Sequence, residues 1–120
     1  GNLFYRSDRK KKPETKLNCI TIKQEMGWCD DPESRKYNKL VKIKKKTKYS
    51  HEKLYRKSSE YDYFIPVNYN SAKPLAGKGS AIFIHLTKNY KKTLGCIGII
   101  EKDFMILVKL INKKSKIKII

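Results

Sequence analysis

The stretch Ser80-Ala81-Ile82-Phe83-Ile84-His85-Leu86 reads as a β-strand with two different faces. Ile82, Ile84 and Leu86 fall on one side, and Ala81, Phe83 and His85 on the other, because successive side chains of a strand alternate. His85 stands at or near the strand's end on the less aliphatic face, where a polar ring can point into a cleft beside the sheet instead of into the core. Ten residues further on, Thr93-Leu94-Gly95-Cys96-Ile97 places a cysteine in a glycine turn. A thiol attacks as its thiolate, and a neighbouring imidazole is a common means of removing its proton. The chain has only two histidines and three cysteines, so the pairing of His85 with Cys96 carries information.

After this strand and turn, Glu101 to Ile111 has helical periodicity. Phe104, Leu107, Val108 and Ile111 form an i, i+3, i+4, i+7 stripe, with Glu101 and Asp103 in the first turn and Lys113 and Lys114 beyond the last. Lys116 to Ile120 alternates again and is expected to close a sheet. Toward the N-terminus, Tyr61 to Tyr69 is aromatic and β-branched and reads as a strand, with Pro66 arguing for an edge position or a bulge. Ser50 to Arg56 is expected to be a short helix capped by Ser50. Leu17 to Ile22 and Leu40 to Ile43 read as short strands, while Met26 to Pro32 reads as a turn because of Gly27, Asp30, Asp31 and Pro32. Arg6 to Lys16, the cluster Lys44-Lys45-Lys46, and Asn70 to Gly79 are expected to be loops. No internal repeat is visible. The sum is a mainly β domain with one C-terminal helix and short helical decorations.

Composition bounds the rest. At 120 residues the chain suits one domain, and hydrophobic residues at 39% are too many for a disordered polymer. It opens on Gly1-Asn2-Leu3-Phe4-Tyr5, which reads like the interior of a fold, so the expectation is a fragment lacking its first strands. No apolar run approaches the roughly 20 residues of a membrane helix, and no signal peptide is visible. The net charge of +18 attracts polyanions such as nucleic acid, anionic lipid or an acidic wall polymer. The basic residues are nevertheless scattered, and lysine, isoleucine, asparagine and tyrosine are abundant together. Coding bias with solvated lysines therefore competes with a binding role. Three cysteines leave at least one unpaired; a Cys19–Cys29 disulfide stays open. No CxxC or HxxxH occurs, so neither a metal nor any other cofactor is expected.

Gly95 allows a tight turn and, lacking a Cβ, leaves space for a carbonyl beside the peptide N–H groups of Gly95 and Cys96. Those amides suit an oxyanion hole, and Thr93 adds a hydroxyl. Trp28, Tyr5 and Tyr69 are candidates for a cleft wall or for the core. Asp30 and Asp31 suit a turn or an amine-binding position, and His51, on the expected helix, is given little catalytic weight.

Gly79 to Leu86 followed by Thr93-Leu94-Gly95-Cys96-Ile97 resembles the catalytic motif of the L,D-transpeptidase (YkuD-type) family, in which a strand histidine is followed by Ser/Thr-x-Gly-Cys. The resemblance extends through Phe4-Tyr5-Arg6, Gly27 to Pro32, Tyr37-Asn38 and Tyr69-Asn70 to a compact proteobacterial branch of that family, and so spans nearly the whole chain. It implies a mixed β-sheet sandwich or barrel of the L,D-transpeptidase type. It also implies an envelope or periplasmic enzyme acting on peptidoglycan stem peptides.

In such enzymes the cysteine attacks the carbonyl joining diaminopimelate to a terminal D-alanine, and an amine resolves the resulting thioacyl-enzyme. On this chain Cys96 becomes the nucleophile and His85 its base, the histidine being oriented by a backbone carbonyl, with Gly95 and Thr93 at the oxyanion and substrate position. Two positions depart from the pattern: Leu94 stands where many members have a second histidine, and Gly98 where many have Arg or Asn. The His-to-Cys spacing is also short for the wider family. The competing functional classes are a basic, non-enzymatic nucleic-acid-binding module and a catalytically inactive wall-binding relative.

Overall fold

A computed structural model describes residues 2–67, 82–88 and 96–116. Eight short strands and one helix follow in the order β1 (Asn2–Tyr5), β2 (Asn18–Thr21), β3 (Met26–Cys29), β4 (Lys39–Lys42), β5 (His51–Lys53), β6 (Tyr63–Pro66), β7 (Phe83–Leu86), β8 (Ile97–Ile99) and α1 (Glu101–Leu110). They make a mixed five-stranded sheet of order β2-β1-β6-β7-β8 and a three-stranded sheet of order β4-β3-β5. The mainly β class with a C-terminal helix read from the sequence is the class observed.

Alternation along the strands divides the large sheet into two packed faces. Leu3, Tyr63, Ile65, Ile84 and Leu86 meet Phe104 and Val108 of α1 in one core. Phe4, Phe64 and Phe83 point the other way and join Ile22, Leu54 and Tyr61 in a second core, with Met26 and Trp28 of the small sheet packed against it. The helix, the large sheet and the small sheet therefore lie in three layers. The split of β7 into Ile84 and Leu86 against Phe83 is the one its sequence predicts. So is the helical stripe, in which Phe104 and Val108 are fully buried.

Tyr63 to Pro66 forms a strand inside the predicted Tyr61–Tyr69, but β6 is an interior strand, between β1 and β7, and not an edge. Pro66 is tolerated because it closes the strand. The Val67 N–H goes to the Ile82 carbonyl on the β7 side at 2.8 Å, so the proline nitrogen faces β1. There the ladder uses only Phe64 and Tyr63, opposite Phe4 and Tyr5.

Two expectations fail. Met26–Cys29 is not a turn but β3, the central strand of the small sheet, flanked by β4 and β5. Gly27 is required by close packing rather than by a turn: a Cβ there would lie 2.6 Å from Ile43 Cδ1 and 3.2 Å from the Glu52 carbonyl oxygen. The predicted helix over Ser50–Arg56 is instead β5 followed by a bend, with Cys29 paired to His51 and Gly27 to Lys53. Pairing with β3 outweighs a local preference of a few tenths of a kcal/mol. His51 accordingly sits half-buried on a strand, its Nδ1 3.1 Å from the Tyr49 carbonyl.

The segments Arg6–Lys16 and Lys44–Lys46 are loops as read. Asp30 and Asp31 serve the turn after β3: Asp30 accepts from the Ser50 hydroxyl at 2.6 Å, and Asp31 accepts from the Glu33 amide at 3.0 Å. Cys19 and Cys29 lie in different sheets, and all three cysteines are free thiols. Among the described residues no helix is long and apolar enough to cross a membrane. Thr93, Leu94, Gly95, Tyr69, Asn70, the loop Asn70–Gly79 and the expected strand beyond Lys116 lie outside the described residues.

Candidate functional site

β7 and β8 run parallel, with Ile84 opposite Ile97 and His85 opposite Gly98. Carrying that register back by one residue sets Cys96 beside Phe83. Phe83, His85, Cys96 and Gly98 thus share the face that looks away from α1. Cys96 packs against the core formed there by Phe4, Tyr61, Phe64 and Phe83. The imidazole and the sulfur stand on adjacent strands, offset by two residues. That offset is one strand spacing, about 4.8 Å, and two residues of rise, about 6.6 Å, before the side chains reach toward each other.

His85 is held from several sides. Its Nδ1 is 2.8 Å from the Leu86 carbonyl oxygen. A carbonyl only accepts, so Nδ1 carries the hydrogen, and in the neutral ring Nε2 is left with the lone pair. Tyr61 meets the ring edge-on, with centroids 5.7 Å apart, and Phe64 is its cross-strand neighbour on β6. Gly98 is fitted closely to this strand: a Cβ there would stand 3.2 Å from Thr87 Cβ and 3.7 Å from His85 Cε1. A longer side chain at Gly98 would press on the strand that carries the histidine.

Cys96 is half-buried, and His85 is buried at 8% exposure with Tyr61 packed on its ring, so the imidazole lies in the second core and not in the expected cleft, and the sulfur is the more open partner. Burial pushes the thiol above its ordinary pKa. The Phe83 amide, which donates to the sulfur, pulls it back, Glu52 raises it and Arg56 lowers it. The resting group is therefore a neutral thiol at neutral pH, and its proton must leave during attack. Alkylation of Cys96 by iodoacetamide, followed by peptide mass spectrometry, is expected to be slower at pH 8 than that of a free small thiol. It should still be climbing with pH where the small thiol has levelled. A fast rate that is flat below pH 7 would instead reveal a preformed thiolate.

Three residues on this face went unnoticed in the sequence. Tyr61 is buried between His85 and Phe83, its ring centroid 5.5 Å from that of Phe83. Its hydroxyl donates to Glu52 Oε1 at 3.4 Å, and the Arg56 guanidinium lies over its ring at 4.2 Å. Burial, chiefly, holds the Tyr61 phenol far above its ordinary range. Glu52 and Arg56 fall in the stretch expected to be a short helix, which concealed their place on β5 and the bend after it.

Of the other aromatic candidates, Trp28 is half-buried. It meets Phe83 edge-on at 5.1 Å and donates from Nε1 to Asn38 Oδ1 at 2.9 Å, so it packs beside the thiol's core. Tyr5 stacks on Tyr63 at 6.4 Å, against the helix-side core and away from Cys96. Among the described residues no three His, Cys, Asp or Glu side chains come together to hold a metal ion. Comparison with protein-family models, with curated proteins and with solved structures finds no match for this chain.

Proposed function

We propose that the chain is a cysteine acyltransferase of the L,D-transpeptidase type that acts on peptidoglycan stem peptides in the cell envelope, and that its sheets belong to the sandwich or barrel of that family. The observation that carries the proposal is the shared face: one imidazole and one half-buried sulfur on adjacent parallel strands, the imidazole locked in the tautomer that offers Nε2 as a base.

The chemistry follows from that arrangement. The Cys96 sulfur attacks the carbonyl carbon of the diaminopimelate–D-alanine bond while its proton passes to His85 Nε2. By the resemblance, the negative charge that develops on the carbonyl oxygen is assigned to the peptide N–H groups of Gly95 and Cys96, and Thr93 to a substrate contact. Collapse breaks the C–N bond, the proton on Nε2 goes to the departing amine of D-alanine, and a thioester remains on Cys96. An acceptor amine then attacks the thioester, giving its proton to Nε2; the C–S bond breaks, the departing thiolate of Cys96 takes that proton back from Nε2, and the stem is joined through a new amide to a second stem or to a protein. A raised thiol pKa suits this order of events, because a base is then required in the transition state.

The nucleic-acid reading rests on the net charge of +18 and on interleaved tyrosines, of which Tyr49 and Tyr55 are half-buried. Binding to single strands uses exposed aromatic platforms, whereas Phe4, Tyr61, Phe64 and Phe83 are all packed inside. The test is direct. Incubation with purified tetrapeptide-bearing muropeptides is expected to release free D-alanine and to add the mass of the tripeptide stem to the peptide containing Cys96. Absence of both, in a protein that melts cooperatively, would overturn the proposal.

A further inference from the structure

Glu52 and Arg56 both touch Tyr61, which lies in the core against which Cys96 packs, yet proton transfer does not use them. Arg56 donates from Nε to the Lys53 carbonyl at 2.7 Å and from Nη2 to Glu52 Oε1 at 3.4 Å. A guanidinium has five N–H donors, so the fork retains further hydrogens pointing outward over Tyr61. The Glu52–Arg56 contact is long, and both side chains are 31% exposed, so an incoming anion competes for it on favourable terms.

Arg56 also lines a cleft of about 260 Å³ together with Arg6, Arg9, Lys53 and Lys57. In that cleft Arg6 is held by Asp8 and Arg9 by Asp62, while Lys53 and Lys57 add their charge. Arg56 therefore belongs to a cationic cleft and reaches from it over the ring of Tyr61. In the proposed reaction the departing amino acid bears its α-carboxylate three bonds from the carbonyl carbon under attack. A planar guanidinium on Tyr61, the ring that packs against Phe83 and His85, matches that group with two parallel hydrogen bonds.

We infer that Arg56 is a specificity-determining residue that binds the terminal carboxylate of the acyl donor, so that the bond cleaved is the last peptide bond of a chain with a free end. The inference rests on the acyltransferase reading for its substrate, but its anion site can be probed without turnover. The parent is expected to cleave a tetrapeptide stem roughly 10- to 100-fold better, in kcat/KM, than the same stem with a C-terminal amide. Arg56→Gln should lose that preference, Arg56→Lys should keep part of it, and Glu52→Gln, which breaks the ion pair but spares the guanidinium, should keep it.

In a second measurement at pH 8.5, N-acetyl-D-alanine is expected to protect Cys96 of the parent from iodoacetamide, and N-acetyl-D-alaninamide is not. Arg56→Gln should abolish the protection. A preference for the acid that survives in Arg56→Gln, or is lost equally in Glu52→Gln, would overturn the inference alone. Protection that depends on Arg56 in a protein releasing no D-alanine would sink the transpeptidase reading and leave the carboxylate site standing.

Discussion

Cys96→Ala is expected to end D-alanine release from tetrapeptide muropeptides, a loss on the order of 10⁴-fold or more, while the protein melts within a few degrees of the parent. The sulfur is half-buried and packs as a small apolar group, so its removal costs little stability. His85→Gln is expected to cost about 10²- to 10⁴-fold, because the raised thiol pKa leaves few thiolates ready at neutral pH and the base must act in the transition state. The two side chains work as one unit, so the double variant should be no slower than Cys96→Ala alone. Losses that multiply, or a His85→Gln protein that releases D-alanine at the parent rate, would show that imidazole and thiol do not act on the same step.

Phe64→Ala is expected to destabilise the fold by about 3–5 kcal/mol, which for a domain of this size is a fall in Tm of roughly 10–20 °C by thermal circular dichroism. Phe64 has no exposed surface and sits mid-sheet on β6. Its ring stacks on Phe4 at 4.9 Å and on Phe83 at 4.8 Å, and touches Tyr61 at 5.2 Å. No single neighbour can move into the space without losing its own contacts, so the cavity stays open. Phe64 is also the cross-strand partner of His85, so the same change removes part of the floor under the imidazole. Activity at a temperature where the variant is still folded should therefore fall as well. A loss of less than about 1 kcal/mol would mean that the second core is not organised around this ring.

What could be read in advance depended on how far apart in sequence the cooperating residues lie. β7 was legible because Phe83, Ile84, His85 and Leu86 carry the alternation themselves, and α1 because Phe104 and Val108 repeat on one side of a helix. β8, of 3 residues, is too short to show a period, and both it and β1 were missed. β3 was obscured by Gly27, whose missing side chain is explained only by Ile43, sixteen positions later in the chain. β5 was obscured by Ser50, Glu52 and Arg56, which suit a helix locally and are overruled by pairing with β3. At the site, His85 and Cys96 were visible as rare residues a short distance apart. Glu52, Arg56 and Tyr61 were not, since nothing near them in the sequence announces their place at the core against which Cys96 packs.

The parallel ladder between β7 and β8 has an evolutionary corollary. Hydrogen bonds between Ile84–Leu86 and Ile97–Ile99, rather than the count of intervening amino acids, hold imidazole and sulfur in relation to each other. A change in the length of chain between Leu86 and Cys96 that spared this ladder would leave imidazole and sulfur at the same spacing. An unusually brief interval between the two residues is accordingly no sign of a lost activity.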